Sequence, residues 1–240
     1  MLQFTYKKGG FLIKSMCGRF IQTNKSKQID KKFKVNTAQD SFLKPRYNIA
    51  PTQTIPAVLE TGGERIISGL KWGLIPHWSK DDTFAAKLIN ARAESIAEKP
   101  SFRDAFRNRR CIIPASGFYE WDKKSSGAKQ PFYFYLKEKE VFGFAELWEE
   151  WLDKASGELV ETCTIITTEA NRVLEPVHDR MPVILKAKDY DRWLDAKEKD
   201  TDKLQKLLVP YPALEMIAYQ VSKSVNVPSN DLPELIEKTT

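Results

Sequence analysis

Between Cys111 and Thr167 the chain runs through four segments rich in β-branched and aromatic residues: Cys111–Trp121, Phe132–Leu136, Val141–Leu147 and Thr162–Thr167. The polar stretches between them are short, Lys123–Lys129 (KKSSGAK) and Leu152–Leu159 (LDKASGEL) being the clearest. They leave no room for the crossover helix that parallel neighbours require, so the expectation is an antiparallel meander. Helical spacing flanks this run at Ile29 and Phe33, at Tyr190, Trp193 and Leu194, and at Leu204, Leu207 and Leu208 behind Thr201 as N-cap. Early and late helices around central strands predict the α+β class: a single domain whose curled, mostly antiparallel, barrel-like β core is flanked by helices. No internal repeat or low-complexity tract divides it.

Composition narrows the setting. A chain of 240 residues that is 42% hydrophobic can bury one sizeable core. Its 38 Lys and Arg against 32 Asp and Glu leave a formal charge of +6, an excess that suits a polyanion without identifying one. Cys17, Cys111 and Cys163 are odd in number and far apart, which fits neither a disulfide framework nor metal-ligand spacing. No metal or cofactor is expected, and a reducing cytoplasm (the nucleoid, in a bacterium) is the expected location. The apolar runs are too short for a membrane span, and lysines interrupt the first 15 residues where a signal peptide needs its apolar stretch. No glycine-rich phosphate loop and no G-x-S-x-G elbow occurs.

Three polar residues stand inside apolar or aromatic strings: Asn90 in KLINARAES, Glu120 in SGFYEW and His178 in EPVHDRMP. Glu120 has two readings. On the solvated face of an alternating strand it needs no explanation; buried beside Phe118, Tyr119 and Trp121 it must be paired or hold a proton near neutrality, as a general acid does. His178 reads either as a site residue or as part of a surface turn, and His77 reads as non-catalytic. Met16-Cys17-Gly18 has the form of a translation start whose methionine is removed, which would give Cys17 a free α-amine. Amine and thiol on adjacent carbons make an aldehyde-specific pair: the amine condenses to a Schiff base and the thiol closes on the imine carbon as a thiazolidine. The alternative is an ordinary buried cysteine.

Six motifs occur in one order: Met16-Cys17-Gly18-Arg19-Phe20, Arg46-Tyr47-Asn48-Ile49-Ala50-Pro51, Trp72-Gly73-Leu74-Ile75-Pro76, Asn90-Ala91-Arg92-Ala93-Glu94, Gly117-Phe118-Tyr119-Glu120-Trp121 and His178-Asp179-Arg180-Met181-Pro182. Together they resemble the SOS-response-associated peptidase (SRAP) family from Cys17 to about Asn226. The resemblance implies shielding of abasic sites in single-stranded DNA by a slowly reversible thiazolidine cross-link, with lyase activity as a side reaction. It makes Cys17 the nucleophile, Asn90 the side chain that positions its amine or the sugar, Glu120 the acid/base group, and His178 a partner of the sugar oxygens that assists reversal. It places Arg19, Asn48, Arg92 and Arg180 with the DNA, mainly at phosphates flanking the lesion, and Pro51 and Trp78 against neighbouring bases. Family members can carry an aromatic pair where this chain reads His77-Trp78, so one stacking platform is expected to be weaker or replaced. Arg103, Arg107, Arg109 and Arg110 extend the phosphate track or form a solvated helix face.

Residues 1–15 (MLQFTYKKGGFLIKS) have no counterpart in the family pattern, and with them attached Cys17 has an amide in place of an amine. Three explanations fit: Met16 is the true initiator, the segment is removed by self-cleavage before Cys17, or the chain has another activity. The first is the expectation adopted, with residues 1–15 an extension absent from the mature protein and 16–240 the SRAP-like domain. Two other functions compete with the cross-linking sensor: a cysteine peptidase using Cys17, His178 and Glu120, and a non-covalent single-stranded-DNA-binding module. The expected partner is single-stranded DNA bearing abasic sites, with no membrane, and the expected state is a monomer.

Overall fold

The computed structural model of the protein describes residues 17–36, 43–123 and 128–239. The chain enters through β1 (Arg19–Gln22), α1 (Ser26–Phe33), β2 (Arg46–Ile49), β3 (Thr54–Thr61), β4 (Glu64–Trp72), β5 (Asn90–Arg92) and α2 (Arg103–Asn108). It continues through β6 (Arg110–Ala115), β7 (Gly117–Trp121), β8 (Pro131–Leu136), β9 (Phe142–Leu152), β10 (Leu159–Glu169), β11 (Arg180–Pro182) and β12 (Ile184–Leu185), then α3 (Tyr190–Leu194), α4 (Thr201–Gln205) and β13 (Met216–Gln220).

Strands β10, β4, β3, β6 and β9 pair in that order, and β9 pairs back with β10, so the ring closes into a barrel. Its pairings are antiparallel except β4 with β10, where Lys71 and Trp72 lie beside Thr162 and Cys163. Closure leaves none of these strands as an open edge. A second, antiparallel sheet runs β13-β8-β7-β1-β2. Period-two alternation splits the barrel strands between two clusters. Ile55, Ala57, Cys111, Ile113 and Phe144 pack with Phe20, Phe118 and Phe134 of the second sheet. Val58, Ile112, Ala145 and Ile166 pack instead with Ile29, Phe33, Phe106, Trp193 and Leu204 of the helices. The α+β class and the curled β core are as expected.

The meander is not. β7 and β8 pair with each other in the second sheet, whereas β6, β9 and β10 belong to the barrel. The segment Cys111–Trp121 breaks at Ser116, whose amide donates to the Ile21 carbonyl at 2.7 Å. The Ser116 hydroxyl takes the Thr23 amide at 2.8 Å and the Asn24 side chain at 2.6 Å. Those bonds anchor the point where the strand changes sheets. The hairpin β3–β4 was not among the expected strands; it turns at Gly62 and Gly63, both at positive φ, in the two-glycine connection that matches strand twist.

The expected helical faces are buried, at Ile29 and Phe33 in α1 and at Tyr190, Trp193 and Leu194 in α3. The cap of α4 is Asp200, not Thr201: its carboxylate accepts the Lys203 amide at 3.1 Å. The arginine run divides. Arg103 and Arg107 are exposed, as a solvated helix face requires. Arg110 is buried and donates to the carbonyls of Phe106, Arg107, Trp193, Asp195 and Glu198, tying α2 to the segment after α3. It therefore supplies no phosphate contact.

Candidate active site

Cys17 lies at the head of β1, and the register of β1 with β7, Arg19 opposite Tyr119, brings Glu120 to it. The Cys17 backbone nitrogen donates to Glu120 Oε1 at 2.6 Å. Glu120 is 1% exposed, so the solvated-face reading fails. Removal from water opposes ionisation and pushes its carboxyl up to about 7, against the bonds from Cys17, which favour the charged form. Burial also pushes the Cys17 thiol well above its ordinary range, with the Glu120 charge acting the same way and Arg180 opposing. The thiol is held protonated, the reverse of what a thiol peptidase needs. Cys17 also has φ +46°, a conformation that costs a non-glycine residue about 1 kcal/mol or more.

The rest of the site gathers at the far end of β10. On one side β5 pairs with it in parallel, Asn90 beside Ile165 and Arg92 beside Thr167. On the other, β11 pairs antiparallel, Arg180 beside Glu169. Asn90 is half-buried and Arg92 exposed. His178 is 8% exposed and its Nδ1 accepts the Arg180 amide at 3.0 Å, which puts the neutral ring's proton on Nε2. Burial, aided by Lys123, lowers its pKa, so at neutral pH the ring offers an N–H donor. Beside it Asp179 is paired with Lys123.

The residues expected to meet DNA differ in how free they are. Trp78 is half exposed and Phe84 meets its ring edge-on, centroids 5.7 Å apart. Phe84 thus supplies the second aromatic ring that the sequence neighbour His77 does not, a partner that spacing along the chain does not reveal. Pro51 is half-buried next to Thr52, whose amide is bonded to the Trp72 carbonyl where β4 ends. Arg92 is an exposed cation of the site. Arg19 is half-buried, donating to Asn48 Oδ1 and the Val225 carbonyl, both at 2.8 Å, with its guanidinium 5.7 Å from the Trp121 ring centre. Asn48 is fully buried. Its amide donates to the carbonyls of Val225, Val227 and Asn230, so its side chain has no surface to offer DNA and acts by seating Arg19. Arg180 is held in a two-point pair with Glu94 at 2.6 and 2.9 Å and also donates to the Thr167 carbonyl. It is an ion-paired group beside Cys17 rather than an open cation, and Glu94 is the partner that the motif contained but that had no assigned role.

Cys111 and Cys163 are buried and free, with the buried Glu146 between them. Among the described residues no cluster of His, Cys, Asp and Glu could hold a metal ion, and no helix is long and apolar enough to cross a membrane. Met16 and residues 1–15 lie outside the described residues, as does part of the Lys123–Lys129 loop.

Residues 16–228 match the SOS response associated peptidase (SRAP) family. The chain belongs to that family. A relative from Bacillus subtilis (strain 168), the abasic site processing protein YoqW, is 46% identical over 227 residues, covering 92% of this chain and 99% of its own. The abasic site processing protein HMCES of Xenopus tropicalis is 31% identical over 221 residues, covering 79% of this chain and 65% of its own. A crystal structure of a protein from Bacteroides thetaiotaomicron superposes with TM-score 0.84 at 27% identity, over 93% of this chain and all of the other. The SRAP match starts at Met16, one residue before the cysteine on which the site is built.

Proposed function

We propose that this SRAP protein senses abasic sites in single-stranded DNA and shields them by a covalent thiazolidine through Cys17. The observation that carries the reading is the 2.6 Å contact between the Cys17 nitrogen and the Glu120 carboxyl, with that carboxyl at about 7. A free α-amine titrates at about 7.7–8.0, close enough for Glu120 to take its proton near neutrality and give it back. The amine then adds to the aldehyde of the ring-opened sugar. Glu120 protonates the resulting hydroxyl, which leaves as water, and an imine remains. The Cys17 thiol adds to the imine carbon while its proton passes to the nitrogen, closing the five-membered ring. One water is released and nothing is oxidised or reduced. A thiol held protonated suits this sequence, because the amine must attack first.

Around that pair, the Nε2–H of His178 would hold a sugar oxygen and assist reversal, and Asn90 would orient the amine or the sugar. Arg92 and Arg19 would meet flanking phosphates, Arg180 would bias charge beside Cys17, and Trp78 with Pro51 would support adjacent bases. β-Elimination at the imine stage would give lyase activity as a side reaction. The mature protein would start at Cys17, without residues 1–16. The name YoqW shares with HMCES supports the substrate class.

The test compares a protein beginning at Cys17 with the 240-residue chain, each incubated with a single strand from which a uracil has been excised. The first should give a heat-stable protein–DNA adduct and Cys17→Ala none; absence of an adduct from protein with a verified free Cys17 sinks the proposal. Intact mass of the 240-residue chain separates self-cleavage from a misplaced start: loss of residues 1–16 that Cys17→Ser abolishes requires peptidase chemistry.

A further inference from the structure

Between β4 and β5 the chain leaves the side of β10 and returns to it, β5 resuming the ladder at Ile165 just beyond the point, Cys163, where β4 departs. The excursion, residues 73–89, carries the half-exposed Trp78. Its departure depends on Gly73, at φ +134°, where a Cβ would stand 2.5 Å from the Ala85 carbonyl oxygen. Its floor is fixed by the Gly73 amide on the Cys163 carbonyl, the Leu74 amide on Leu88 and the Ile75 amide on the Thr162 hydroxyl.

Past that floor the excursion is gripped from β9. Glu149 and Trp151 are two apart in the strand and share a face; both are buried, whereas Glu150 and Leu152 are exposed. Glu149 Oε2 accepts the His77 amide at 3.2 Å and meets His77 Nδ1 at 3.1 Å. Trp151 Nε1 donates to the Ser79 carbonyl at 2.8 Å, and its ring packs on Ile75 and Ala85 under the loop. The two contacts bracket Trp78, one on each side of it in sequence. A carboxylate that is 2% exposed is an expensive residue for a strand unless its partners require it. Here its second oxygen, Oε1, takes Arg109 Nε at 2.9 Å, which fixes the carboxylate while Oε2 holds the loop. Arg109 is thereby accounted for without a phosphate.

We infer that Glu149 and Trp151 are positioning residues: they hold the main chain at His77 and Ser79 so that the Trp78 ring is presented, ordered, to a base beside the lesion. This rests on the reading of the chain as a sensor of abasic single strands. An aromatic ring holds a base by stacking whatever the base's identity, and a ring on a loose loop loses part of that affinity to ordering. Within the excursion itself beyond Pro76, the ring has its edge contact with Phe84, and the main chain beside it is tied by the Ser79 amide on the Pro76 carbonyl and the Ser79 hydroxyl on the Asp81 carbonyl.

The test uses a single strand with a tetrahydrofuran abasic analogue, which has no aldehyde, and measures its dissociation constant for wild type, Trp151→Phe and Glu149→Gln, each also in a Trp78→Ala background. Trp151→Phe keeps a ring but removes the N–H; Glu149→Gln keeps the volume, and supplies the answer if the first variant fails to fold. Hydrogen exchange across residues 74–84 is measured on the same proteins without DNA. Either substitution should speed exchange in the excursion and weaken binding about 3- to 10-fold, yet add less than about 2-fold once Trp78 is alanine. With a reactive abasic strand, the loss should fall on the half-saturating DNA concentration and not on the cross-linking rate at saturation. Equal weakening in both backgrounds, or unchanged exchange, overturns the assignment. A wild type that binds no single strand overturns instead the functional reading on which it rests.

Discussion

Replacing Glu120 with Gln should remove a pH dependence of stability that the wild-type chain carries because this carboxyl is buried. In the unfolded chain the group titrates near its ordinary 4.5, whereas in the fold it titrates at about 7. Between those values the folded state binds more protons than the unfolded one, so stability falls as pH rises. The contribution is fully present below about pH 4.5 and is lost once pH exceeds about 7. A displacement of about 2.5 units at about 1.4 kcal/mol per unit amounts to about 3.5 kcal/mol. Glu120 is 1% exposed, so solvent screening does not reduce this. Glu120→Gln still offers an oxygen to the Cys17 nitrogen but cannot ionise. Urea unfolding of the 240-residue chain at pH 5 and pH 8 should show the wild type losing about 2.5 kcal/mol more than the variant between the two, the first part of the loss having already occurred by pH 5. His178 and the other titrating groups are common to both proteins and cancel in the difference. Parallel losses in the two proteins would refute the claim that burial holds the proton on Glu120, and with it the role of that group as acid. In a protein beginning at Cys17 the nitrogen becomes an ammonium facing the carboxylate, so the wild-type slope should shift to lower pH.

Glu146 makes the same argument in the core, where burial raises its carboxyl well above 4.5 between the two thiols. Glu146→Gln should therefore gain stability on the wild type as pH rises from 5 to 8, read as a growing difference in urea midpoint, with no effect on DNA cross-linking. Asn48→Ala leaves three carbonyls and the Arg19 guanidinium without its amide; it should cost about 2–3 kcal/mol in urea and also weaken DNA binding through Arg19, with a smaller salt dependence than wild type. Arg110→Ala removes the donor to five carbonyls and should lower stability by about 3 kcal/mol while the salt dependence of DNA binding stays as in wild type.

The sequence was readable where one local rule decides an outcome. Ile29 and Phe33 need only one buried face of a short helix, and the strands at Phe132–Leu136 and Thr162–Thr167 need only β-branched and aromatic residues in number. It was unreadable where a partner distant in sequence decides. Ser116 breaks a strand because Thr23 and Asn24 claim its hydroxyl, and no local pattern shows that. Charges at Glu60, Glu64, Arg65 and Lys71 obscure the β3–β4 hairpin, although its paired glycines were a usable turn signal. Arg109 and Arg110 stand side by side in a basic run, yet Glu149 takes one and five carbonyls take the other. Among site residues, Glu120 stayed undecided until the register of β1 on β7 set it against Cys17. The motifs single out Asn48 and Arg180 as DNA contacts, whereas the geometry has Asn48 seating Arg19 and Arg180 paired with Glu94. Phe84 lies six residues beyond Trp78 and becomes its neighbour only because the excursion folds back.

The most direct measurement sets three proteins that begin at residue 17 against the same abasic single strand: wild type, Cys17→Ser and Cys17→Ala. Serine keeps the α-amine and loses the thiol. Wild type should give an adduct that survives heating without reductant. Cys17→Ser should give one only when borohydride traps the imine, and Cys17→Ala should behave like serine. A heat-stable adduct from Cys17→Ser without reductant, or none from wild type, would contradict the claim that amine and thiol of Cys17 act together.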